Sequence, residues 1–216
     1  MKYRLAVFDM DGTILYTLQD IVDSTNHILR SFGMPEKTLE QMRSYIGNGI
    51  MREIECSVPE GTSAEVIRQV HDAFLPYYGE HCNDTTRPYD GILSLMQDLR
   101  SAGMKTAVVS NKGDFAVQEL IRRYFSEVCD MGLGEKEGIR RKPDPDMTDA
   151  VLEFFGISRD EAVYIGDSEV DIETARNSGL DCICVTWGYR DEDFLIAKGA
   201  ELIAHTPQEL KQILLG

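Results

Sequence analysis

Leu5-Ala6-Val7-Phe8-Asp9-Met10-Asp11-Gly12-Thr13 decides how the rest of the chain is read. Four apolar residues that stop abruptly at two carboxylates and a glycine describe a buried strand delivering acids to the carboxyl edge of a sheet, where open α/β folds bind their ligands. Asp9 and Asp11 lie two residues apart. Like charges this close raise each other's pKa unless a cation sits between them or one keeps its proton. Both outcomes suit chemistry: one carboxylate as a nucleophile beside a hard metal ion, the other as an acid/base. Asp-Gly is also a common turn pair, so the later segments must carry the distinction.

Outward from this stretch, helix and strand patterns alternate. Ile92, Leu95, Met96 and Leu99 fall at helical spacing before Gly103, and Lys105 to Val109 reads as a strand ending at Ser110-Asn111. A helix is predicted over roughly 115–125, and another from near Asp144 to Gly156. A strand at Ala162 to Ile165 then stops at Gly166-Asp167, followed by a helix at 172–177, strands at 182–186 and 202–204, and a last helix from Pro207. Such alternation predicts an α/β fold with a doubly wound, mostly parallel Rossmann-like sheet. Residues 15–85 differ. Leu18, Ile21, Val22, Thr25, Leu29 and Phe32 trace one helical face, and Val66, Ile67, Val70, Phe74, Tyr77 and Tyr78 another, without a strand between them. The expected organisation is a core of 1–14 and 86–216 with an inserted all-helical cap of 15–85, a lid over the sheet edge.

Composition narrows the function classes. A hydrophobic content of 43% in 216 residues supports a packed core. No apolar run approaches the ~20 residues needed to span a bilayer, and the amino terminus lacks a signal-peptide pattern, so a cytoplasmic location is expected. Five cysteines form no C-x-x-C pair and four histidines are scattered, which argues for reduced, structural thiols and against a thiolate or histidine metal site. The net charge of −15 disfavours nucleic acid and anionic membranes alike. An anionic substrate would need local positive potential from a metal, lysine and backbone N–H groups.

Asp9-Met10-Asp11-Gly12-Thr13, Ser110-Asn111-Lys112, Lys142-Pro143-Asp144-Pro145 and Gly166-Asp167-Ser168 with Asp171 all fall at predicted strand ends or helix starts on one side of the sheet. Together they resemble the four motifs of the haloacid dehalogenase superfamily in its phosphatase branch, with the cap between the first and second motifs. The resemblance implies Mg²⁺ held by Asp9, the Asp11 backbone carbonyl and Asp167, with Asp171 in a supporting role. It implies attack by Asp9 on phosphorus, acid/base work by Asp11, and phosphate binding by Ser110, Asn111 and Lys142. Lys112, Arg140 and Arg141 read as flanking charges.

Within the superfamily, Asp11 argues against dehalogenases and phosphonoacetaldehyde hydrolases, and Lys37 is the one lysine available to a cap Schiff-base mechanism. Tyr45-Ile46-Gly47-Asn48-Gly49, with Gly47, Asn48 and Gly49 facing substrate, is similar to a turn of phosphoglycolate phosphatases, as is Trp187-Gly188-Tyr189. The expected partner is a small phosphate ester, met by a monomer or weak homodimer. An inorganic pyrophosphatase and a sugar phosphomutase like β-phosphoglucomutase stay open as alternatives.

Overall fold

The computed structural model describes residues 2–216. In chain order the elements are β1 (Leu5–Phe8), β2 (Leu15–Tyr16), α1 (Leu18–Ser31), α2 (Leu39–Tyr45), α3 (Ile50–Ser57), α4 (Ala64–His81), β3 (Arg87–Pro88), α5 (Ile92–Ser101), β4 (Lys105–Gly113) and α6 (Asp114–Tyr124). They continue with β5 (Met131–Glu135), α7 (Asp146–Phe155), β6 (Ala162–Gly166), α8 (Glu169–Ser178), β7 (Asp181–Val185), α9 (Glu192–Ala197), β8 (Leu202–Ala204) and α10 (Pro207–Leu215).

Six strands form one sheet in the order β5-β4-β1-β6-β7-β8, and every neighbouring pair is parallel. β1 pairs Leu5 with Lys105 on one side and with Ala162 on the other, so it is central and wholly buried. That explains its unbroken apolar run: a strand covered on both faces does not alternate. One face packs Phe8, Met96, Val108 and Phe125 into a core, and the other packs Val7, Val109, Met147 and Val151. Helices on both faces of a parallel sheet are the doubly wound arrangement expected from the alternation.

Between β2 and β3 the chain is helical, and α1 to α4 bury their own cluster, which includes Leu29, Met42, Ile54 and Phe74. Two details of this segment depart from the sequence reading. β2 and β3 pair antiparallel, Leu15 with Pro88 and Tyr16 with Arg87, and close the base of the helical segment. Phe32 does not share the buried face of α1, because the helix ends at Ser31 and Phe32 is 36% exposed beyond it. α2 and α3 carry no long periodic run; α2 is set by a Thr38/Gln41 capping box instead. All five cysteines are free, and among the described residues no helix is long and apolar enough to cross a membrane.

Candidate active site

The carboxyl ends of β1, β4 and β6 bring the four motifs to one place. Asp9 directly follows β1 and is 7% exposed, anchored through its N–H to the Ile165 carbonyl at 2.8 Å. The chain then folds tightly over the Met10 carbonyl, which accepts from the N–H groups of Thr13, Ile14 and Leu15. Gly12 makes this turn possible. Its φ is +86°, and a Cβ there would stand 2.4 Å from Asp167 Oδ2.

Asp167 follows β6 and is held by two donors, Thr13 Oγ1 at 3.0 Å on one oxygen and the Tyr189 N–H at 2.6 Å on the other. Gly188 lets that second segment pass, since a Cβ there would lie 2.4 Å from Asp167 Cβ. Asp171 sits one helical turn into α8 and closes a capping box with Ser168, accepting from its N–H at 3.1 Å and its hydroxyl at 2.7 Å. Lys142 Nζ then bridges Asp9 Oδ1 at 2.7 Å and Asp171 Oδ1 at 2.8 Å, with its side chain 2% exposed.

One lysine cannot neutralise three carboxylates. Asp9, Asp167 and Asp171 place oxygens within 4.8 Å of one another, leaving an excess of negative charge in a buried site. Burial pushes the Asp9 carboxyl up to about 8 against the opposing pull of Lys142, and pushes Asp167 up to about 7 with Asp171 adding to it. No donor among the described residues reaches Asp9 Oδ2. A set of hard oxygen donors with surplus negative charge and a free carboxylate oxygen fits a small divalent cation such as Mg²⁺. Asp171 has three donors on its two oxygens, one of them Lys142 Nζ.

Asp11 stands apart from that cluster. Its Oδ1 accepts from Thr17 Oγ1 at 2.6 Å and from Lys112 Nζ at 2.9 Å, and Tyr189 Oη lies 3.0 Å from Thr17 Oγ1. Lys112 corrects the sequence reading: it is no flanking charge but a buried lysine, hydrogen-bonded to Asp11 and to the Tyr78 hydroxyl of α4. β4 runs on to Gly113, beneath the helical segment, and so carries Lys112 inside. Arg140 is the solvated charge expected, paired at the surface with Asp144 and Asp146.

Ser110 is buried and lines the same cavity, its Oγ accepting from the Lys112 N–H at 3.3 Å. The Asn111 amide, read from the sequence as a phosphate contact, is committed elsewhere. It clasps the Lys142 backbone through both its N–H and its carbonyl, and donates to the Gly47 carbonyl at 3.0 Å. The Gly47-Asn48-Gly49 turn is thereby tied to the core. Arg190 ties the residues before it, donating to the carbonyls of Arg43 and Ile46 while pairing with Glu169. Gly49 has a φ of +82°, and a Cβ would meet Arg141 and Glu135 side chains at 2.9 Å.

Between core and helices lies a cavity of about 30 Å³, room for roughly two waters. Asp9, Asp11, Ser110 and Lys142 line one side, and Ile46, Ile50, Glu53 and Phe74 the other. Sequence reasoning missed Lys112, Tyr78, Arg190 and Glu53. Glu53 alone left a signal, an acid on the buried face of α3 in line with Ile50, Ile54 and Ser57.

Residues 6–185 match the model of the haloacid dehalogenase-like hydrolase family, a span that contains all four motifs. The chain belongs to that family. Among its relatives, a phosphoglycolate phosphatase of Thiobacillus denitrificans is 31% identical over 88% of this chain and 86% of its own length. An N-acetylmuramic acid 6-phosphate phosphatase of Pseudomonas aeruginosa is 29% identical over 99% and 96%. The crystal structure of a provisionally named phosphoglycolate phosphatase from Lactobacillus delbrueckii subsp. bulgaricus superposes with a TM-score of 0.95 at 41% identity, each chain covered in full. These haloacid dehalogenase-like relatives share the family while their names differ in the group attached to phosphate.

Proposed function

We propose that this chain is a Mg²⁺-dependent phosphatase of small phosphorylated metabolites in the cytoplasm, turning over through an aspartyl phosphate on Asp9. Residues 15–85 serve as the cap that closes over the substrate. One observation carries the reading: Asp9 is a buried carboxylate with one oxygen fixed by Lys142 and the other free, beside a second carboxylate fixed through one oxygen only. Bound at Asp9, Asp167 and the Asp11 carbonyl, Mg²⁺ would supply the charge that lets a carboxylate approach a phosphate dianion.

The free oxygen of Asp9 attacks phosphorus while the ester oxygen departs, and Lys142 and Ser110 stabilise the charge on the transferring group. Asp11 has one oxygen held by Thr17 and Lys112, which leaves the other to protonate the departing alkoxide and then to take a proton from the hydrolytic water. Closure of the helical segment over a bound ester would limit the access of bulk water to Asp9 during the first step.

Asp11→Asn separates the two half-reactions. With an aryl phosphate, whose leaving group needs no proton, the variant is expected to form the phosphoenzyme but to hydrolyse it ~10²–10⁴-fold more slowly. Rapid quench with labelled substrate reads the trapped adduct. Wild-type turnover in this variant would remove Asp11 from the mechanism.

Metal dependence has a pH signature. Asp9 and Asp167 are both raised by burial, to about 8 and about 7, so in the metal-free protein they hold protons that Mg²⁺ must displace. Affinity is therefore expected to be high at alkaline pH and to weaken below neutrality, by ~10-fold per pH unit for each proton displaced. Calorimetric titrations with Mg²⁺ across that range give the slope. A pH-independent affinity would place the ion elsewhere, and full activity in excess chelator would exclude the metal role.

A further inference from the structure

Glu53 is unexplained by this chemistry. It comes from α3, is 6% exposed, and lines the same cavity as Asp9 and Asp11. Thr25 Oγ1 donates to its Oε1 at 3.0 Å, whereas no donor among the described residues reaches Oε2. The nearby cation is already engaged, because Lys112 pairs with Asp11 and bonds Tyr78. Of the other side chains that the helical segment presents to the cavity, Ile21, Ile46, Ile50 and Phe74 carry no donor, and no hydrogen bond joins the Tyr78 hydroxyl, which accepts from Lys112, to Glu53.

Glu53 Oε2 has no protein donor among the described residues and is available to one carried by a ligand, and a site built around such a group discriminates between ligands that pair with it and ligands that do not. Glu53 sits across the cavity from the nucleophile, on the side of the helical segment, where the group attached to phosphate must lie once Asp9 is in line with phosphorus. We infer that Glu53 is a specificity-determining residue that selects phosphate monoesters whose leaving group presents a hydrogen-bond donor, a hydroxyl or an ammonium, and rejects those presenting a carboxylate. This rests on the phosphatase reading above and adds the class of substrate to it.

The consequence runs against the name shared by several relatives. Phosphoglycolate would bring its carboxylate, one carbon from the ester oxygen, toward an acid whose charge is not cancelled by an ion pair. Like charges at short range in a largely buried site repel, so esters that bring a carboxylate there are disfavoured. Burial raises Glu53 to about 7, with Thr25 and Lys112 opposing, and assays belong above that value, where the group is ionised.

The test compares kcat/KM with Mg²⁺ at a pH of about 8.5 for four esters: glycerol 3-phosphate, phosphoethanolamine, phosphoglycolate and an aryl phosphate. The wild-type protein is expected to favour glycerol 3-phosphate or phosphoethanolamine over phosphoglycolate by at least ~10-fold, the better of the two telling hydroxyl from ammonium. Glu53→Gln, matched in shape, is expected to shrink that ratio by ~10-fold or more. A wild-type preference for phosphoglycolate overturns the inference without any variant. So does an unchanged ratio in a Glu53→Gln protein whose circular dichroism matches wild type. Hydrolysis of the aryl phosphate with no discrimination among the other three sinks the selectivity alone, whereas a wild-type protein inactive on all four esters sinks the phosphatase reading and the inference with it.

Discussion

Asp9→Asn is expected to lose at least ~10⁴-fold of turnover on every phosphate ester, the largest catalytic effect available in this chain. An amide oxygen is too weak a nucleophile to accept the phosphoryl group, and no other carboxylate offers a free oxygen at that point. Asp171 is bound by Ser168 and Lys142, and Asp11 is held toward Thr17 and Lys112. The fold should not suffer. Burial already pushes the Asp9 carboxyl toward its neutral form in the metal-free protein, so replacing it by a neutral isostere of the same shape is expected to leave metal-free thermal stability unchanged or slightly higher. Turnover and a thermal melt on the same preparation check both halves. Retained activity would end the covalent mechanism, and a collapsed melt would show that the charge is needed for folding.

Lys142→Met is expected to be the most damaging change to stability. Its ammonium bridges Asp9 and Asp171 with 2% of the side chain exposed, and removing it leaves the carboxylate cluster without its one lysine. Loss of one partner from a buried ion pair typically costs ~3–5 kcal/mol, a large share of the stability of a domain. Urea unfolding in chelator should show this as a lower midpoint at unchanged slope. Adding Asp171→Asn to the same protein removes one of the stranded charges and should restore part of the midpoint, but not the activity, because the proposed mechanism also uses Lys142 at the transferring phosphoryl group. A double variant no more stable than the single one would mean that the loss comes from packing rather than charge.

These two residues also show how legibility divided between sequence and structure. Asp9 was readable because a central parallel strand must be apolar throughout, so a carboxylate at its end stands out against Leu5 to Phe8. Asp11, Asp167 and Lys142 were readable by motif and order along the chain. The helices with a long periodic face, α1 and α4, were readable too, while α2 and α3 are short and are held by capping and by packing on their neighbours. The edge strand β5 has two glycines in five residues and no hydrophobic period, and it exists because β4 pairs with it.

What the amino-acid order alone determined is therefore the class of fold, the helical insertion and the placement of the candidate acids at strand ends, since all three follow from local periodicity and strand-end position. Only the tertiary structure decided what surrounds those acids. Lys112 is 101 residues from Asp11 and reads as an ordinary surface lysine until α4 closes over it. Glu53 meets the cavity beside Asp9 only because α3 is folded down onto the sheet edge, held there by Asn111 and Arg190 contacts to backbone carbonyls that no residue pattern records. Burial, partner and charge balance are properties of where chain segments meet, and the long-range contacts that set them have no local period to read.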